Sequence, residues 1–134
     1  MNPATLFTQW FDEVWNKANE AFIDEMLHEH VITHGLDPTG TAHGKKAFQD
    51  YYKNLRASFP ETIFDTKVLV QDADTVTIYS NITAKSDSGT TVVFCGISTA
   101  RYEGDKIAET WNCYDFLKMY QQLGHILVSA IQEK

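Results

Sequence analysis

Residues 96–124 read GISTARYEGDKIAETWNCYDFLKMYQQLG, and this stretch decides the predicted fold. It begins with the alternation of a β-strand, turns at residues 103–106, and returns as a second strand. Side chains at alternate positions of a strand lie on the same face. The second strand therefore predicts the floor of a pocket, formed by Glu109, Trp111, Cys113 and Asp115.

Counting back from the turn predicts how the two strands pair. The expected pairs are Tyr102 with Ile107, Ala100 with Glu109, Ser98 with Trp111, Gly96 with Cys113, and Phe94 with Asp115. In this register the small residues Gly96 and Ser98 leave free volume in front of the floor, as a cavity requires. Since a slip of one residue reverses the faces, the prediction depends on this register. The outer face would then carry Thr110, Asn112 and Tyr114, and we expect it to form a homodimer surface.

The rest of the 134-residue chain predicts a single α+β domain over residues 1–134. Apolar residues recur at helical spacing in residues 6–18, 20–29 and 44–59, and a short strand at 31–35 leads into an irregular loop near the pocket mouth. Alternation then predicts strands at 63–70, 75–84, 91–102 and 106–116. Because short turns join these strands, we expect an antiparallel meander. A final amphipathic helix is predicted at residues 119–132.

Charge and hydropathy exclude several classes of partner. Eleven basic and eighteen acidic residues give a formal charge of −7, and Lys45-Lys46 is the only basic pair. Binding to nucleic acid or to an anionic membrane needs clustered cations, so neither partner is expected. The N-terminus lacks the pattern of a signal peptide, and no apolar run is long enough for a membrane span.

The cysteines and histidines predict neither a disulfide framework nor a metal site. Cys95 and Cys113 are the only cysteines, and we expect two reduced thiols on opposite faces of the sheet, in a cytoplasmic protein. None of the histidines forms an H-E-x-x-H pair on a helix. His34 and His43 are better interpreted as polar groups at the pocket mouth. Nucleotide-binding and serine-hydrolase motifs are absent as well.

Several segments carry a family likeness. They are WNKAN at 15–19, VITHG at 31–35, Phe59-Pro60, GIS at 96–98, and residues 104–124, which follow the pattern GKIxExW…D…QLG. Together these segments resemble the SnoaL-like polyketide cyclases, over almost the whole chain. The turn reads Gly-Asp-Lys where the family usually has Asp-Gly-Lys. The resemblance implies the cone-shaped nuclear-transport-factor-2-like (NTF2-like) fold, with N-terminal helices on a curved, mainly antiparallel sheet and a C-terminal helix.

The resemblance also implies a function. In the cyclases, an aspartate at the position of Asp115 is the general acid/base of an intramolecular aldol ring closure that uses no metal or organic cofactor. A polar residue at the position of His34 helps to bind the substrate. We therefore expect a small hydrophobic ligand, Asp115 as the catalytic residue, and further substrate contacts from Tyr52, Ser98, Trp111 and Glu109.

Each of these assignments has an alternative. Asp115 could instead cap a following helix, Tyr52 and Trp111 could be packing residues, and Glu109 could lie at the wet end of its strand rather than pair with His34. The histidine that accompanies the aspartate in characterised cyclases has no counterpart on the facing strand. This difference favours a non-catalytic ligand-binding or assembly module on the same fold. An isomerase or an epoxide-hydrolase-like enzyme is a third alternative.

Overall fold

The computed structural model describes residues 2–37 and 40–124, except for the side chain of Asp37. The helices in this part of the chain are α1 (Pro3–Trp10), α2 (Ala21–Met26), α3 (Lys45–Ser58) and α4 (Phe116–Gln122). The strands are β1 (Leu27–Asp37), β2 (Gly40–His43), β3 (Glu61–Asp72), β4 (Thr75–Lys85), β5 (Thr91–Glu103) and β6 (Lys106–Tyr114). The arrangement confirms the predicted α+β class.

The first helix forms where the apolar spacing predicts it. The side chain of Asn2 accepts a hydrogen bond from the backbone N–H of Ala4, and Pro3 occupies the first turn, where no N–H is needed. The helix continues as a π-helical segment, Phe11–Asn16. At its end, Asn16 accepts from the backbone N–H of Phe64 at 2.7 Å and donates to the carbonyl of Phe64 at 3.1 Å. This pair of bonds ties the helical layer to β3.

The second helix is shorter than its predicted span. It ends at Met26, because Leu27 already has the extended backbone of β1. His28 and His30 therefore lie in a strand. The loop predicted as irregular contains β2, which pairs antiparallel with β1. Helix α3 agrees with its prediction, whereas α4 begins at Phe116, and the predicted continuation beyond residue 124 lies outside the described residues.

The six strands form one sheet in the order β2-β1-β6-β5-β4-β3. Strands β3 to β6 form the predicted antiparallel meander. Strand β1 is added in parallel to β6. Within the described residues, no helix is long and apolar enough to cross a membrane.

The register of β5 and β6 differs from the prediction because of a β-bulge. Tyr102 pairs with Ile107 as expected, but Arg101 pairs with Glu109, so Ala108 is an extra residue on β6. Ile107 and Ala108 are both buried, with exposed fractions of 0% and 6%. Two consecutive inward side chains reverse the alternation from that point on.

The reversed alternation overturns the predicted faces of β6. Thr110, Asn112 and Tyr114 point into the fold, so they cannot form the outer surface to which they were assigned. Cys113 pairs with Ile97 on the outer face instead of contributing to a pocket floor. Cys95 lies two residues from Ile97 along β5, so the two free thiols share one face rather than occupying opposite faces.

The core lies between the helices and the inner face of the sheet, in two clusters. The larger cluster joins α1, the π-helical segment, α2 and α3 to the sheet, around residues such as Phe7, Val14 and Ile23. The smaller cluster joins α4 to β4 and β5 through Met119, Ile82 and other residues. Side chains of both clusters border the interior cavity.

Candidate ligand-binding site

A cavity lies in the interior, between the helices and the inner face of the sheet. Its volume is about 60 Å³, counted as the space open to the centre of a water molecule. Most of its lining is aromatic or aliphatic and comes from both layers: Trp10, Phe11, Trp15, Leu27, Leu36, Phe48, Leu55, Phe59, Phe64, Ile82, Ala84, Phe94, Phe116 and Met119. A largely apolar, concave site with a few polar groups is typical of small-molecule binding.

The polar groups of the sheet wall form a connected hydrogen-bond network. The Asn112 Nδ2 group donates to the backbone carbonyl of His34 at 2.9 Å and to Thr110 Oγ1 at 3.1 Å. Ser98 Oγ donates to Asn112 Oδ1 at 2.6 Å. Because a backbone carbonyl can only accept, the His34 carbonyl fixes the orientation of the amide. The network therefore holds its polar atoms in set positions.

Tyr114 extends this polar wall. Its ring lies over Gly96 on the neighbouring strand, where any Cβ would overlap the ring. Burial raises the pKa of Tyr114 well above its usual range, and the nearby Tyr51 phenol raises it further, although a hydrogen bond with Ser98 acts in the opposite direction. The phenol is therefore protonated at neutral pH and can donate a hydrogen bond.

No charged side chain is found among the described residues that line the cavity. The other polar groups of the lining are hydroxyls: Thr33, Tyr51 and Thr62. An isolated charge in such surroundings would lose its hydration without gaining a counter-ion. The cavity therefore suits a neutral molecule.

Asp115 does not line this cavity, so its predicted place on the pocket floor is wrong. It is exposed at the end of β6, and its carboxylate accepts from the backbone N–H of Lys118 at 3.1 Å. This is the geometry of an N-cap for α4, which was the alternative interpretation of the sequence. The role of Asp115 as a general acid/base stays a prediction.

The predicted pairing of His34 with Glu109 is present, but on the outer face of the sheet. His34 Nε2 lies 2.7 Å from Glu109 Oε2, and an Arg101 nitrogen lies 3.5 Å from the other carboxylate oxygen. Trp111 stacks on the His34 ring with 5.7 Å between centroids and is 42% exposed. The hydrogen bond from His34, together with Arg101, holds the pKa of Glu109 below its usual value.

These positions correct the predicted site in further respects. The side chains of Glu109 and Trp111 lie away from the cavity because the bulge reverses the alternation of β6, and His34 on β1 lies on the same outer face beside them. The roles of all three in substrate binding stay predictions. Tyr52 is buried and donates to the carbonyl of Val14 at 2.6 Å, as the packing alternative expects. Ser98 does line the cavity, as predicted.

On β6, the prediction missed three residues that line the cavity: Thr110, Asn112 and Tyr114. A polar residue at every second position was visible in the sequence, but alternation alone does not say which set points inward. Two adjacent apolar residues, Ile107 and Ala108, were the available signal for a bulge. Within residues 2–37 and 40–124, no group of three or more His, Cys, Asp or Glu side chains is arranged to hold a metal ion.

A helical layer on a six-stranded sheet, with an apolar cavity between them, defines a class of small α+β cones that enclose a pocket. Within that class, the sequence matches the model of the SnoaL-like polyketide cyclase family over residues 5–123, and the chain belongs to this family. Among curated proteins, none matches the sequence significantly.

Solved structures show the same fold. A candidate polyketide cyclase from Acidithiobacillus ferrooxidans is 26% identical, with a TM-score of 0.80 over 92% of this chain and 95% of that one. A candidate SnoaL-like polyketide cyclase from Jannaschia sp. CCS1 is 14% identical, with a TM-score of 0.83 over 93% of each chain. An NTF2-like protein of unknown function from Burkholderia pseudomallei is 12% identical, with a TM-score of 0.79 over 93% of this chain and 100% of that one. The predicted NTF2-like fold is confirmed.

Proposed function

We propose that the cone binds a small, neutral, largely apolar molecule in its interior cavity. The observation that carries this proposal is the combination of an apolar lining with a fixed polar wall on β5 and β6. Membership of the SnoaL-like family supports a ligand of this kind. The apolar walls would provide affinity through buried surface, and the polar wall would orient the molecule.

The polar wall favours a ligand with at least one oxygen function. Tyr114 is a protonated phenol, and by exchanging its hydrogen bond with Ser98 for one with the ligand it can donate to a carbonyl or hydroxyl oxygen. The Asn112 amide is held by three hydrogen bonds, so it acts mainly by positioning Ser98 and Thr110. A hydroxylated or carbonyl-bearing aromatic compound matches this pattern of donors in an apolar enclosure.

Binding can be followed by intrinsic fluorescence, since Trp10 and Trp15 line the cavity. Phenol is a suitable neutral probe, and its titration should give a saturable change in tryptophan emission. Ser98→Leu fills the polar wall and should weaken the binding of phenol at least tenfold. Cys113→Leu makes a similar change on the outer face and should leave the binding unchanged.

Two results would refute this proposal. Phenol could give no saturable signal with a folded protein, or Ser98→Leu and Cys113→Leu could behave alike. Thermal unfolding of each variant shows whether a lost signal comes from a lost site or from a lost fold.

A second candidate is cofactor-free cyclisation or isomerisation, which family membership favours. In this proposal the Tyr114 phenol donates to the oxygen that becomes negative as a carbon acid loses its proton, and Asp115 moves the proton. Asp115 directly follows Tyr114, but it would have to leave its cap on α4 to reach the cavity. Because of this requirement, we place the catalytic proposal second to the proposal of ligand binding.

The catalytic proposal is tested with a polyketide that a wild-type preparation converts. Asp115→Asn keeps a capping side chain but removes the titratable group, so turnover should fall by about 100-fold or more. Turnover that is unchanged in Asp115→Asn would exclude Asp115 as the acid/base. If turnover is lost in Tyr114→Phe but kept in Asp115→Asn, the Tyr114 phenol would be assigned as the acid/base instead of Asp115.

We further propose a homodimer formed through the outer face of the sheet. This face exposes apolar side chains along paired strands, including Val68 at 53%, Val93 at 47% and Ile97 at 44%. Apolar residues grouped on one exposed face are typical of interfaces. Sedimentation should show a dimer that Ile97→Glu dissociates, whereas Lys53→Glu on α3 should leave the dimer intact.

A cytoplasmic location stays a proposal, and the two free thiols support it.

A further inference from the structure

A second depression adjoins the interior cavity on the side of α4. It lies between the C-terminal part of α3, the turn after β4, and α4. Its volume, counted in the same way as that of the cavity, is about 620 Å³. It is thus much larger than the interior cavity, with its 60 Å³. We call it the α4 groove.

The cavity and the α4 groove share part of their lining. Six side chains border both: Leu36, Tyr51, Leu55, Phe59, Phe116 and Met119. Only one layer of apolar and aromatic side chains therefore stands between the two spaces. A molecule longer than the cavity would reach this groove by passing between the shared side chains.

The walls of the α4 groove are held in place by hydrogen bonds. The backbone N–H of Asp87 donates to the carbonyl of Ser58 at 2.8 Å, which joins the turn after β4 to the end of α3. On the other side, Gln122 accepts from the N–H of Val93 and donates to its carbonyl, both at 2.8 Å, which joins α4 to β5. The shape of the groove is therefore fixed by hydrogen bonds between the elements that form it.

Its outer part differs chemically from the cavity. Besides tyrosines, six polar side chains line the groove: Asn54, Ser58, Ser86, Asp87, Ser88 and Thr90. Asp87 is the one charged side chain among the described residues of the lining, and no Lys or Arg is found there. The carboxylate of Asp87 has no ion pair or hydrogen bond in the described part of the chain. With a formal charge of −7 on the whole protein, the groove should disfavour anions.

From these observations we infer that the ligand is amphipathic, with a compact apolar end in the cavity and a longer, polar but not anionic end in the α4 groove. The inference rests on the proposed binding function and adds the shape and charge of the ligand. A tail that ends in a hydroxyl or a protonated amine fits the groove. A tail that ends in a carboxylate or a phosphate does not, because it would face Asp87 with no cation to neutralise it.

Four probes separate the two parts of the site. Phenol occupies the cavity only, whereas 4-(4-hydroxyphenyl)butan-1-ol, 4-(4-hydroxyphenyl)butylamine and 4-(4-hydroxyphenyl)butyrate keep the phenol and add a four-carbon tail with different end groups. Because each buried methylene of the tail removes apolar surface from water, the alcohol and the amine should bind at least about tenfold more tightly than phenol. The carboxylate should bind about fivefold more weakly than the amine, and Asp87→Asn should narrow that gap.

A matched pair of variants tests where the tail lies. Asn54→Phe fills the α4 groove from α3 without touching the cavity lining, so it should weaken the tailed probes about tenfold and leave phenol unchanged. Asp50→Phe makes a similar change one turn earlier on α3, outside the groove, and should affect none of the four probes.

The outcomes distinguish a failure of this inference from a failure of the proposed ligand binding in the cavity. If phenol binds but the tailed probes bind no better, or if Asn54→Phe weakens phenol as much as the tailed probes, the groove assignment is overturned. If the carboxylate binds as well as the amine, the charge assignment is overturned. If no probe binds, phenol included, the interior-binding function itself fails.

Discussion

Gly96 and Tyr114 face each other on adjacent strands, and the tyrosine ring occupies the space that a side chain at Gly96 would need. This contact places the phenol against the sheet, beside Ser98 and at the edge of the cavity. The bulge at Ala108 turns Tyr114 inward, and the absence of a side chain at Gly96 leaves room for its ring.

Gly96→Ala should destabilise the fold by about 1–3 kcal/mol, as overpacking usually does, because the new methyl group overlaps the Tyr114 ring. Denaturant unfolding measures the change. If the overlap is the cause, the same substitution should cost less in a Tyr114→Ala background. Equal costs in both backgrounds would contradict this explanation.

Replacing Asp115 should separate capping from charge. Asp115→Ala removes the acceptor for the Lys118 N–H and should cost about 0.5–2 kcal/mol of stability. Asp115→Asn keeps an acceptor and should cost clearly less. Thermal or denaturant unfolding of both variants checks this, and an Asn variant as unstable as the Ala variant would show that the charge, rather than the cap, matters for stability.

The pairing of Glu109 with His34 and Arg101 predicts a pH dependence of stability. These partners lower the pKa of Glu109 in the folded state, so its contribution is present above the ordinary glutamate value of about 4.3 and is lost as the pH falls through the lower folded value. In that window the unfolded state binds more protons than the folded state.

Unfolding free energies measured from pH 7 to pH 3 should therefore fall less steeply below about pH 4.3 in Glu109→Gln than in the wild type. Glu25→Gln is the control, because the Glu25 side chain has no ion pair in the described residues. Identical slopes for the wild type and Glu109→Gln would mean that the pair does not contribute.

The location of Trp111 predicts how it reports on ligands. It lies on the outer face and is 42% exposed, whereas Trp10 and Trp15 line the cavity. Trp111→Phe should therefore keep the emission change caused by phenol, and Trp15→Phe should reduce it. Loss of the signal in Trp111→Phe, with the fold intact, would place the ligand on the outer face instead.

The outer face also shows how far inference from the sequence reached. Glu109 was expected to need a partner, and His34 is that partner. The face of the sheet on which the two side chains pair was not predictable. It depends on the parallel pairing of β1 with β6, which joins segments 75 residues apart. Tyr52 and Ser98 were identified as polar residues of interest, but only packing decides that one contacts a backbone carbonyl and the other lines the cavity.

Apart from β2, the sequence by itself determined the order of helices and strands, the meander from β3 to β6, and the family, because these depend on local periodicity and on motifs that are contiguous in the chain. The tertiary structure alone decided which face of β6 meets the cavity. One extra residue, Ala108, enters the strand beside Ile107 and reverses the alternation that follows. Since a strand repeats every two residues, that single insertion exchanges Trp111 for Asn112 and Tyr114 in the cavity wall.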